Sequence, residues 1–374
     1  MEVKLTQRRE FLSLVVAGAV VAVEELSAAD EAIPFADAPK FNPAQPRLPW
    51  DETTQWMTPD EQVFLVAHYG YPMPIDAASW KLELGGLVEK PRTLTLDQLK
   101  SRAKKEYTYT LECSGNPAGG NGGLIGNAKW TGTPLASILK EADLKPEGTE
   151  VAFFALDQGT EKIGDADYKQ NFSRSLSVKE AMREDLLLCW EMNGKPLAQN
   201  HGAPLRLVVP GWYGVAWVKW LNRIDVTDRA QLARFMGKDY VTLRAEKRGE
   251  ETIWRQSSVG RMNVKSIPAR VTRQAGGLQV LGAAWSDGAA IRTVDVKIDN
   301  GGWQPAKLIS NGNHPYAWTF WTYDWKDAQP GEHAVSARAT DAKGRTQPAP
   351  DDLMVTSKKT RWENYQQAVR KIKI

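Results

Sequence analysis

Cys113 closes a run of alternating residues and opens a glycine-rich one, Tyr-Thr-Tyr-Thr-Leu-Glu-Cys-Ser-Gly-Asn-Pro-Ala-Gly-Gly-Asn-Gly-Gly, over positions 107–123. Tyr107, Tyr109 and Leu111 repeat with a period of two, the mark of a strand with one buried face. Gly115, Gly119, Gly120, Gly122 and Gly123 then break regular structure and let backbone come close to a ligand. A soft sulfur at a strand end, beside an open polar loop, suits a metal ion or a nucleophilic role. The plain alternative is a half-buried thiol beside a turn. The other cysteine, Cys189, lies in the apolar run 186–190 and reads as a small buried hydrophobe, not as a disulfide partner. No Cys-x-x-Cys-His motif and no cysteine cluster offers haem or an iron–sulfur centre, so an electron carrier has to be external.

The chain that positions this loop has 374 residues, enough for two domains of ordinary size. Its net charge of +3 gives no general basic field, and nucleic acid is not an expected partner. Fifteen tryptophans are a large load, suited to broad cores and flat ligand-facing walls. Arg8 and Arg9 precede an apolar run at 12–23, and Ser27, Ala28 and Ala29 offer a cleavage site before Asp30. That order is the layout of a twin-arginine export signal over 1–29. It predicts a periplasmic mature protein with no membrane span, since no other segment is long and apolar enough.

Prolines crowd residues 30–60 and predict an extended arm. Short helices are expected over 95–104, 133–142 and 177–183, with Thr95 capping the first and Pro134 near the start of the second. Strands are expected over 150–156 and 206–210. This mixture lacks a repeated strand–helix–strand unit, so the class is α+β. Beyond about residue 257 helical periodicity stops. Short alternating runs at 278–284, 294–298, 318–325 and 333–339 predict an immunoglobulin-like β-sandwich, and 368–374 a final basic strand. The predicted division is therefore a signal at 1–29, a first domain at 30–260 and a sandwich at 261–374.

Further motifs follow in order along the first domain. They are Trp190-Glu191-Met192-Asn193-Gly194-Lys195-Pro196-Leu197, then His201-Gly202-Ala203-Pro204-Leu205-Arg206-Leu207-Val208-Val209-Pro210-Gly211, then Gly214-Val215-Ala216-Trp217-Val218-Lys219-Trp220-Leu221. With Leu111-Glu112-Cys113-Ser114-Gly115-Asn116 they resemble the molybdenum-cofactor domain of the sulfite oxidase family, and the sandwich resembles that family's dimerisation domain. The resemblance runs from about residue 50 to the last residue. It implies a Mo-molybdopterin cofactor, a small sulfur-containing substrate, a homodimer, and an external acceptor such as a c-type cytochrome. It also implies that Cys113 ligates molybdenum and that Tyr240 stands beside the metal to hydrogen-bond its oxygen ligand. Arg206 and Lys219 suit the cofactor's phosphate, one as a fork and the other as a point charge. His201 would donate to phosphate or pterin and Asp157 would accept from pterin nitrogens, while His68, Tyr69, Trp217 and Val218 occupy further cofactor-binding positions.

The chain departs from the resemblance where a sulfite anion would be held. Ala67 and Ala216 stand where arginines are expected, and His314 stands where another anion-binding arginine is expected in the second domain. Each charge-assisted contact contributes about 1.5–3 kcal/mol, so these losses weaken affinity for a dianion. A protonated His314 would restore part of it and raise activity toward lower pH. The leading expectation is oxidation of sulfite to sulfate. Behind it stand a sulfane dehydrogenase, a sulfoxide reductase, and a non-catalytic binding protein on the same scaffold.

Overall fold

The computed structural model describes residues 32–374 apart from 39–41, 43, 45, 54, 120, 121 and 275. The export signal read at 1–29 lies outside the described residues. Among the described residues no helix is long and apolar enough to cross a membrane.

The first unit is built on two sheets. One takes the strands Arg206–Val208, Leu187–Met192, Ile125–Pro134 and Lys105–Glu112 in that order, all antiparallel. The other runs Arg92–Thr95, Lys81–Gly86, Leu221–Thr227, Glu150–Ile163 and Ala166–Ser177, with one parallel pairing between Lys81–Gly86 and Leu221–Thr227. Period-two burial explains the strand Lys81–Gly86: Leu82 and Leu84 point inward while Lys81 and Glu83 face solvent. Ile125–Pro134 is buried along almost its whole length, because layers cover both of its faces.

The helices fall short of the α+β expectation. They shrink to Leu96–Lys100, Leu135–Ala142 and Val178–Ala181, and strand dominates the described chain. Thr95 caps the first as expected, in a reciprocal capping box with Gln98, and the Ser177 hydroxyl caps the third by accepting from the Glu180 amide. What the caps begin is cut short, since each helix serves as a corner between strands. The hairpin Glu150–Ile163 with Ala166–Ser177 is longer than predicted, because its outer half is exposed and carries no apolar alternation.

In the second unit the strands Lys265–Gln274, Gly277–Trp285 and Thr319–Trp325 form one antiparallel sheet. Ile291–Ile298, Glu332–Asp341 and Val369–Lys373 form another. Val271, Val280, Val296, Val335, Ala337 and Ile372 fill one core between them. The arm begins here and not in the first unit: Ala32 and Ile33 pair with Thr272 and Val271, and Phe35 bridges Ile372. Further on, Leu48 exchanges a backbone bond with Gly123 at the end of the cysteine loop.

Candidate active site

A cleft opens in the first unit and collects most of the residues singled out from the sequence. Cys113, His68, Asp157, His201, Arg206 and Lys219 line it, together with Trp217, Tyr240 and Ala67.

Cys113 follows directly on the strand Lys105–Glu112. Its amide donates to the Leu124 carbonyl at 2.9 Å, and its own carbonyl accepts from the Asn116 amide at 2.9 Å. Burial pushes its thiol up to about 11, so without a bound cation the sulfur stays protonated at neutral pH. That weakens the nucleophile reading and favours a site whose ligand brings positive charge. Tyr240 lies close by in a column of flat rings. It stacks on His68 at 5.1 Å with 8° between planes, and on Trp362 at 4.2 Å with 19°. Burial raises its phenol far above the ordinary value and keeps it a neutral donor.

Across the cleft, His201 ends a single turn, Gln199–His201, whose C-terminal residue Gly202 has φ +105°. A Cβ at Gly202 would stand 2.9 Å from Lys219 Cβ, so the close crossing of these two segments requires glycine. Arg206 is wholly enclosed. Its guanidinium donates to the His201 and Trp217 carbonyls and lies over the Trp130 ring at 4.9 Å. Lys219 donates to the Asn200 carbonyl at 2.8 Å and sits 4.2 Å above the Trp220 ring. Asp157 projects from the irregular stretch between Phe154 and Gln158, where the register of the long hairpin shifts.

Burial lowers Lys219 to about 7 and Arg206 to about 10, and it lowers His68 and His201 each to about 4. Burial likewise raises Asp157 to about 6. These groups form a positive, poorly solvated wall with little negative charge of its own. Along that wall His68 Nε2, Asp157 Oδ1, Asn200 Oδ1 and Arg206 Nε have no hydrogen-bond partner in the protein. A buried polar group left unpaired costs about 1–3 kcal/mol, so a cluster of them facing one cleft marks where a polar ligand sits. The donors and acceptors fit a pterin carrying a phosphate, and the soft Cys113 sulfur fits its metal.

Tyr69, Val218 and His314 do not line the cleft. Tyr69 stands behind it, its hydroxyl donating to Glu161 at 2.7 Å and its ring lying where a side chain on Gly159 would be. Val218 is buried in the backbone framework and accepts from the Leu207 amide. His314 departs furthest from expectation: it packs on Trp56 at 5.4 Å in a separate groove with Asn311 and Ala317. The segment that carries it is tied to the strand Lys105–Glu112 through Tyr316 and Trp318, both bonded to Thr110. Because it lies outside the cleft, the rise in activity toward low pH expected from this residue loses its basis, and burial moves its protonation to lower pH still. Ala216 is buried outside the lining, whereas Ala67 does face the cleft.

Sequence reasoning missed Asn200, Trp362 and Arg361. Arg361 is exposed beside Tyr240, His68 and Trp362, and its charge reaches both Cys113 and Tyr240. Asn200 had a local signal in the polar run before Gly202. The other two come from a loop near the end of the chain, far from any motif of the first unit.

A cleft with a buried thiol, enclosed cations and unpaired polar atoms fits the molybdopterin-binding class of oxidoreductase. The family model for the oxidoreductase molybdopterin binding domain matches residues 68–235, and that for the Mo-co oxidoreductase dimerisation domain matches 256–366. Sulfite oxidase of Gallus gallus is 30% identical over 320 residues, covering 79% of this chain and 68% of that one. Mitochondrial sulfite oxidase of Drosophila melanogaster is 30% identical over 328 residues, covering 79% of this chain and 56% of that one. The crystal structure of the sulfane dehydrogenase SoxCD from Paracoccus pantotrophus matches with a TM-score of 0.75 at 25% identity, covering 99% of this chain and 96% of that one. The chain belongs to the sulfite oxidase family. It spans 53–58% of the length of several of the curated mitochondrial relatives.

Proposed function

We propose that this chain is a molybdenum-cofactor oxidoreductase that transfers an oxygen atom to or from a small sulfur compound, with sulfite oxidation to sulfate as its first activity. The observation that carries the reading is the set of unpartnered polar atoms on His68, Asp157, Asn200 and Arg206, residues that line the same cleft as Cys113 beside enclosed cations. When bound, the molybdopterin supplies a metal centre that exchanges one oxygen atom with substrate and changes by two electrons.

Around it the protein's own groups divide the work. Cys113 offers its sulfur to the metal and Tyr240 holds its phenol proton toward the same region. Arg206, Lys219 and His201 hold the phosphate, while Asp157, Asn200 and His68 take up pterin heteroatoms. Trp217 walls the cleft, and Tyr69 and Val218 brace the segments behind it. Arg361 supplies positive charge in an adjoining groove that shares His68 and Tyr240 with the cleft, and Ala67 lines the cleft itself without adding any. Electrons leave one at a time to an external carrier, for which a c-type cytochrome is suited. The second unit serves as an immunoglobulin-like dimerisation module, and the protein works in the periplasm after twin-arginine export.

Sulfane sulfur is the second substrate reading, favoured by the near-complete overlap with the sulfane dehydrogenase structure. Purified protein made with ample molybdate should contain molybdenum, and Cys113→Ala should lose most of it. Oxidation of sulfite coupled to ferricyanide or cytochrome c then separates the substrate readings. A metal-free wild-type protein would sink the enzyme reading.

A further inference from the structure

Next to Cys113, and outside the cleft lining, lies a buried ionic cluster that the reading above does not use. Glu112 and Lys265 pair at 2.8 Å with side chains only 1% exposed. Glu112 Oε1 also accepts from Asn116 Nδ2 at 2.9 Å, and Oε2 accepts from Trp285 Nε1 at 2.8 Å. Lys265 Nζ reaches past the carboxylate to the Pro117 carbonyl at 3.1 Å. Lys265 and Trp285 are cross-strand partners at the end of their sheet, so both side chains come from one place in the second unit. Asn116 closes the ring by accepting from the Leu124 amide at 3.0 Å, at the far end of the cysteine loop.

A buried ion pair is a poor way to gain stability, because stripping water from two charges offsets their attraction. Apolar residues of similar volume often serve as well. What this cluster does that apolar packing would not is fix direction. Every bond it makes ends on the residue before Cys113, on Asn116 and Pro117 after it, or on the second unit.

We propose that Glu112 and Lys265 are positioning residues that clamp the Cys113 loop to the second unit and so set the orientation of the sulfur toward the metal. The proposal rests on the molybdenum reading of the site. The clamp holds the strand end on one side and the loop on the other, so the sulfur is presented in one direction only. Loss of the pair leaves the fold intact and lets the loop turn.

The test compares wild type with Glu112→Gln, Lys265→Met and the double variant, and with Asp287→Asn, which breaks an ion cluster with Arg345 and Lys343 elsewhere in the second unit. Four quantities are read: molybdenum content, thermal midpoint, the sulfur-to-metal charge-transfer absorption, and hydrogen exchange of the amides at 113 and 124. The double variant should melt near wild type and keep its metal. Its absorption band should move, its loop amides should exchange faster, and kcat should fall about tenfold with KM little changed, as expected for a small misplacement of a reacting group. Asp287→Asn should melt lower and leave the band and the loop amides unchanged. A double variant with the wild-type band and wild-type exchange overturns the proposal. If the double variant does not fold, Trp285→Phe, which removes the bond to Glu112 Oε2 and leaves both charges paired, decides by the same two readouts. Molybdenum missing from the wild type counts against the reading of the site, and the exchange rates then decide the clamp by themselves.

Discussion

Ala67 presents a methyl group to the cleft that His68 and Cys113 also line. An arginine there would add a charge-assisted contact for an anionic substrate, worth about 1.5–3 kcal/mol when well formed. Ala67→Arg should therefore lower KM for sulfite by about tenfold or more, measured by steady-state assay at fixed ionic strength. An unchanged or higher KM would mean that sulfite approaches by another side, with Arg361 as the nearest alternative. Cys113, His201, Arg206 and Lys219 were readable because each sits in a local motif whose backbone fixes its direction. Trp362 and Arg361 were not, since their place beside Tyr240 depends on where a distant loop lands. His314 shows the converse: a local match to an expected arginine says nothing when the segment is tied down elsewhere by Thr110.

The turn Gln199–His201 and the segment around Lys219 form the cation side of the cleft, and they touch at Gly202. Its φ of +105° and the 2.9 Å approach to Lys219 Cβ leave no room for a side chain. Gly202→Ala should cost roughly 1–3 kcal/mol in denaturant unfolding and also reduce cofactor retention, because it shifts His201 and Lys219 together. Full stability with full retention would show that the crossing can relax. The cap signal of Thr95 was legible in the sequence because it is local hydrogen-bond chemistry. Helix length was not, since no helix here is long enough for its periodicity to outweigh the sheets that it joins. The outer hairpin around Gly164 was invisible for the opposite reason: without a core on either face, its strands have nothing to alternate against.

Over the whole molecule, the enclosed titratable groups set a direction for stability against pH. His68 and His201 titrate near 4 when folded and near 6.5 when not. Between those values the unfolded chain binds more protons, so stability falls as pH drops from about 6.5 to about 4. Asp157, raised to about 6, acts the other way in part of that window, because there the folded form holds the extra proton. Two histidines outweigh one carboxylate. Protein prepared without cofactor should thus unfold at lower denaturant at pH 5 than at pH 7, and replacing both histidines by glutamine should flatten the slope. An equal slope in that variant would place the acid sensitivity outside the cleft.

The arm that starts at Ala32 has a consequence of a different kind. Asp37 accepts from Arg370 at 2.9 Å across 333 positions of chain, beside Phe35 and its bridge to Ile372. The same arm reaches the Cys113 loop through Leu48. During synthesis, the early residues leave the ribosome long before the strand that anchors them exists. The clasp can close only once Val369–Lys373 has been made, so the final bracing of the arm waits for that strand.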